Sequence, residues 1–157
     1  MAGRVSIADN ATIEPPEHIP PEIQAVFTEG AKCRAVDCHN AAGTMFRLCL
    51  DLATKQFLPD PQDTGSPQPN GRQRRDLGLR LPWLFDQGKL PEALRDIASC
   101  VREDGNDGAH AGTLTAEDAE DLLDFTVLLL ERLYTEPARL RLAEARRIER
   151  RNGATKS

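Results

Sequence analysis

Aromatic side chains are scarce, with five Phe, one Trp and one Tyr among 157 residues. Long apolar runs are missing too: the longest, Val127-Leu128-Leu129-Leu130, is far short of the roughly 20 residues that cross a bilayer. No apolar signal region opens the chain, so no membrane contact and a cytoplasmic location are expected. Cysteine is limited to Cys33, Cys38, Cys49 and Cys100, too few for a disulfide scaffold at this length. Cys33, Cys38 and His39 resemble half of a metal cluster, but the five-residue step and the lack of a second half-site argue against zinc. No metal and no cofactor are expected, and Cys49 and Cys100 read as small buried hydrophobes. Phosphate loops, Gly-x-Ser-x-Gly elbows and His-Glu-x-x-His helices are absent, which removes the enzyme classes built on them.

What the sequence does have is charge, unevenly placed. The net charge is −5, yet Glu103 to Asp124 holds eight acidic residues and no Lys or Arg. The end of the chain is the reverse, with Arg139, Arg141, Arg146, Arg147, Arg150, Arg151 and Lys156 against Glu144 and Glu149 after residue 137. A basic tail on an acidic body suits contact with RNA or DNA, or docking on an acidic face of its own or a sister chain. The tail has no aromatic residue on which a base could stack.

The length fits one domain, and hydrophobic spacing assigns it to the all-α class. Residues 1–19 read as an N-terminal arm. Residues 20–137 read as a single bundle of about five helices, and 138–157 as a basic helical tail. Pro20-Pro21 opens a first helix, with Ile23, Val26, Phe27 and Gly30 at helical spacing, running to about Asp37. Asn40 is placed as the N-cap of a second helix with the stripe Ala42, Met45, Phe46, Cys49, Leu50, Ala53 and Phe57. Residues 59–76 read as a flexible loop, since Pro59 to Gly71 contains four prolines and two glycines. Leu77, Leu79 and Leu81 alternate like a strand, but a lone strand has no partner and Pro82 suits a helix's first turn, so Leu81 to Gln87 is read as helical. Pro91 opens a further helix with Leu94, Ile97, Ala98 and Val101, ending near Gly105. Thr115 caps a long helix with acidic residues in its first turn and a wide apolar face, suited to the centre of the bundle or to a homodimer; Pro137 interrupts it.

Two segments carry a family resemblance. Glu29-Gly30-Ala31-Lys32-Cys33 with Asn40-Ala41-Ala42-Gly43-Thr44-Met45-Phe46-Arg47-Leu48-Cys49-Leu50-Asp51, and Gly105-Asn106-Asp107-Gly108-Ala109-His110 followed by the Thr115 cap, resemble the bacterial domain of unknown function numbered 4145. The second segment is similar to that family's Gly-Asn-x-x-Ala-His element, and Arg47 matches an arginine of its second helix. The cysteine pair that opens many family members is absent here. The resemblance implies a helical bundle related to the HEPN group (higher eukaryotes and prokaryotes nucleotide-binding). Members of that group occur in restriction, toxin and phage-defence systems; some are ribonucleases and others are non-catalytic.

HEPN ribonucleases use a closely spaced Arg and His without metal, the His as acid/base and the Arg on phosphate. Here the candidates are His110 with Arg102 or Arg47. Seven residues separate Arg102 from His110, wider than the family pattern, and Glu103, Asp104 and Asp107 crowd the site with negative charge. The bland reading makes Asn106 and His110 parts of a capped turn and pairs Arg47 with Asp51 one helical turn away. An intermediate reading gathers Arg47, Asp51, Arg102, Asn106 and His110 into a pocket that binds a nucleotide or peptide. The expectation drawn is a non-catalytic interaction module, a homodimer with a protein partner from a defence or restriction system. The alternatives are a metal-independent endoribonuclease and a nucleic-acid binder acting through the tail.

Overall fold

The computed structural model describes residues 12–101 and 113–155. Among them there is no strand. The chain runs α1 (Pro21–Ala35), α2 (His39–Lys55), α3 (Gly71–Arg75), α4 (Leu77–Asp86), two 3-10 turns (Glu92–Leu94 and Ile97–Cys100), α5 (Ala116–Leu130), a π turn (Glu131–Thr135) and α6 (Glu136–Thr155). Because α5, the π turn and α6 follow without a break, the described residues form an all-α bundle of five helices. No helix among the described residues is long and apolar enough to cross a membrane.

Pro20 and Pro21 open α1, where the first-turn donors have no helical partner. The helix stops at Ala35, two residues before the expected end. Asp37 takes a left-handed conformation (φ 60°), and the Cys38 amide reaches back to the Cys33 carbonyl at 2.9 Å. The same turn starts α2 at His39, one residue ahead of the expected Asn40 cap. The Asn40 side chain instead accepts the Leu114 amide at 2.6 Å, tying α2 to the lead-in of α5.

α1 and α2 form an antiparallel pair whose buried stripes, Ile23, Phe27 and Ala31 against Ala42, Phe46, Cys49, Leu50 and Ala53, are closed by α5 with Leu122, Leu123, Phe125, Leu129 and Leu130. The Phe27 and Phe46 rings meet at 5.6 Å between centroids. α5 is thus the central helix. Its apolar face belongs to its own chain's core, which leaves Leu128 as its exposed large hydrophobe.

Three local expectations change. The loop read over 59–76 contains α3, set by an Asn70–Gln73 capping box and held by Arg74, which donates to the Pro59 carbonyl at 3.0 Å. The helix expected from Pro91 is two 3-10 turns. In the second, the Ser99 hydroxyl donates to the Asp96 carbonyl at 2.7 Å, a local bond that competes with helical pairing. Pro137 does not break the long helix. It sits at the second position of α6, and the wider π turn before it accommodates a residue that has no N–H to contribute.

Gly30 lies where α1 crosses α2. A Cβ there would stand 2.8 Å from a ring carbon of Phe46 and 3.0 Å from the Met45 Cβ, and Phe46 is fully buried. Gly30→Ala gains helix propensity of about 1 kcal/mol but forces this crossing apart at roughly 1–3 kcal/mol. A lowered midpoint in urea unfolding is the expected result; an unchanged or raised one would mean the crossing yields.

Candidate functional site

The conspicuous polar feature of the bundle is a buried cation. Asp76 caps α4 by accepting the Gly78 amide at 2.9 Å, and one turn later Arg80 lies among Leu77, Leu81 and Leu84 with no exposure to solvent. Its guanidinium gathers groups from two other elements. Nη1 donates to Asp51 Oδ1 at 2.7 Å and to Thr54 Oγ1 at 3.2 Å on α2, and Nη2 donates to the Arg74 carbonyl at the end of α3. Nε has no acceptor among the described residues.

Asp51 therefore faces Arg80, with Lys55 Nζ on its other oxygen at 2.9 Å. Burial, the largest single influence, pushes the Asp51 carboxyl upward. The hydrogen bonds and charges of Lys55 and Arg80 together outweigh it and hold the group below the usual carboxylate value. The expected Arg47–Asp51 pair is replaced. Arg47 Nη2 approaches Asp76 Oδ1 at 4.0 Å, so α2 sends its two candidate residues to opposite ends of the α3–α4 junction.

A second cluster surrounds Arg47. The Cys100 thiol lies against the Asp121 carbonyl at 3.7 Å. Burial, then the Asp121 charge, raise it to about 11, with Asp118 adding to the rise and Arg47 opposing it. Arg47, Cys100, Asp118 and Asp121 are thus neighbours where α2, the second 3-10 turn and the start of α5 meet. Arg102, Asn106 and His110 lie outside the described residues, so among the sequence candidates the structure locates Arg47, Asp51 and the arginines of α6. Cys33 is half-buried, Cys38 is exposed, and no group of three metal-ligating side chains occurs among the described residues. Arg139 reaches Glu17 at 3.3 Å and Arg147 reaches Glu144 at 2.8 Å; Arg141, Arg146, Arg150 and Arg151 share the same exposed helix.

Sequence reasoning missed Arg80, Thr54 and Asp76. A signal was available: once Asp76 is taken as an N-cap, Arg80 falls on the Leu77–Leu81–Leu84 face, where a charge is tolerated only with a partner. In this arrangement Asp51 engages two cations, Arg80 with no exposure to solvent and Lys55 half-exposed.

Two outcomes follow. Because folding depresses the Asp51 pKa, its contribution is present above the unfolded value near 3.9 and is lost as pH falls through the lower folded value. Urea melts across acid pH should show that loss in the wild type and lack it in Asp51→Asn, which should also be less stable at pH 7 by about 3–5 kcal/mol because it leaves Arg80 buried with one partner fewer. A variant as stable as wild type would show that Arg80 is held by Thr54 and Arg74 alone. In thiol labelling of the native protein, exposed Cys38 should react first and Cys49, fully buried and raised to about 12, last.

No protein of curated function and no solved structure matches the chain. The sequence profile of the family described as Domain of unknown function (DUF4145) matches residues 28–151, which takes in α2, the Arg80 cluster, the rod of α5 and most of α6. On that match, over most of its length, the chain belongs to the DUF4145 family.

Proposed function

We propose that this chain is a non-catalytic helical interaction module, acting with a protein partner in a bacterial defence, restriction or nucleic-acid-processing system, and that α6 is its docking arm. The observation that carries the reading is the exposure of α6. Every residue from Arg139 to Ala154 is exposed, including Leu140 at 71%, Leu142 at 47% and Ile148 at 51%. A helix of this length without packing is marginal in water, and three aliphatic side chains held in solvent favour a partner that covers them. The body supports the same view. Arg80, Arg34 and Arg95 hold carboxylates of their own chain, at 2.7, 2.6 and 2.7–2.9 Å. The defence setting rests on the resemblance to HEPN domains.

The six arginines of α6 favour a second reading, binding of RNA or DNA by the same arm. That affinity would fall steeply with salt and vanish on truncation after Pro137.

A benzophenone amino acid placed at Ile148 and activated in producing cells separates the two. The expected result is an adduct with a polypeptide. Adducts with nucleic acid would favour the second reading, and no adduct at all would overturn the arm. Incubation of wild type and His110→Ala with mixed RNA in EDTA should give no cleavage by either. Cleavage lost only in the variant would make the protein a metal-independent endoribonuclease using His110 with Arg102 or Arg47.

A further inference from the structure

The turn between α1 and α2 brings two cysteines together. Its backbone is a complete Schellman closure: the Asp37 amide donates to the Arg34 carbonyl at 3.0 Å, the Cys38 amide to the Cys33 carbonyl at 2.9 Å, and Asp37 is left-handed (φ 60°). In this closure the side chains at the two ends of the longer bond come into contact, commonly as a pair of apolar groups. Here both ends are cysteine. The bond also limits how far apart they stand. With 2.9 Å between carbonyl oxygen and amide nitrogen, standard covalent dimensions keep the two Cα atoms within about 6.8 Å, inside the reach of a disulfide.

Both are free thiols. Cys33 is half-buried against the core; Cys38 is exposed and, although it stands at the N-cap of α2, its side chain caps nothing. The remaining thiols are engaged elsewhere, Cys49 fully buried and Cys100 against the Asp121 carbonyl at 3.7 Å. We propose that Cys33 and Cys38 form a reversible redox site, a dithiol that a low-molecular-weight disulfide converts to an intramolecular disulfide. Cys38, the accessible member, attacks the oxidant as its thiolate, forming a mixed disulfide and releasing one small thiol. Cys33 then attacks the Cys38 sulfur and releases the second. Two electrons pass to the oxidant, and the two cysteine protons end on the released thiols. With one sulfur open to solvent, the bond stays within reach of a reducing thiol, as in the transient disulfides of reducing compartments.

The test equilibrates the full chain with mixtures of reduced and oxidised glutathione, in native buffer and in urea, followed by acid quench, alkylation and peptide mass mapping. The native chain should lose two alkylatable thiols and yield, after trypsin, Cys33-Arg34 linked to the peptide Ala35–Arg47, a link undone by dithiothreitol. At one glutathione ratio, the disulfide-to-dithiol ratio should be at least about tenfold higher in the native chain than in urea, because the closed turn holds the sulfurs together. Cys33→Ser should stop at a mixed disulfide between Cys38 and glutathione. A native wild-type Cys38 that carries glutathione while Cys33 stays alkylatable overturns the inference. So does a link to Cys49, to Cys100 or to a second chain, or a native ratio no higher than the one in urea. These readouts use the wild-type chain and decide the question whether or not the serine variant folds.

Discussion

A guanidinium with no access to water fixes how the short helices sit on the long ones. Burying Arg80 carries a desolvation cost that is offset only when a carboxylate and further acceptors converge on it. Those acceptors come from different places in the chain: Asp51 and Thr54 from α2, and a carbonyl from the end of α3. The α3–α4 unit is small, and its apolar contribution, Leu77, Leu81 and Leu84, is non-directional. The ion pair adds direction. Sliding α4 by one residue along α2 would strand the charge. Asp76 shares in this arrangement, since it caps α4 and draws Arg47 toward the same junction.

The helices that build the core were legible because their signals are periodic and long. The Ala42–Phe46–Cys49–Leu50–Ala53 stripe and the Thr115 cap with its acidic first turn appear in the structure where the sequence places them. Short elements were less legible, because a few residues hold too little periodicity to decide. Leu77, Leu79 and Leu81 fit a strand as well as a helix until the Asp76 cap is considered. The segment after Pro91 has apolar residues at helical spacing, but the Ser99 hydroxyl donates to the Asp96 carbonyl and the chain settles into 3-10 turns. Side-chain partners were the least legible part. Spacing along α2 puts both Arg47 and Lys55 one turn from Asp51; the structure pairs Asp51 with Lys55 and with Arg80, and only the second pair needs tertiary geometry.

Proline shows how context decides between the two outcomes open to one residue. Pro20 and Pro21 start α1 because the first turn has donors to spare. Pro137 was expected to stop a helix for the same chemical reason, a missing N–H. In the structure the preceding turn widens to π pairing and the rod continues to Thr155. The Thr135 hydroxyl in that turn donates to the Glu17 carbonyl at 2.7 Å, so the π turn is also where the rod is fastened to the segment leading into α1.

The continuous rod gives the chain's charge segregation a physical meaning. Acidic residues near a helix's start and basic residues near its end both suit the helix dipole, which would account for the pattern without any partner. That effect fades within the first and last turns. Glu117 and Asp118 lie in the first turn of α5 and gain from it, but Asp121 and Asp124 lie beyond it, and α6 has no basic residue in its last turn. The interior charges therefore need another cause. Core packing does not supply one, because these residues face outward. What they have in common is exposure on one continuous helix, where charge keeps the outer faces of α5 and α6 in water.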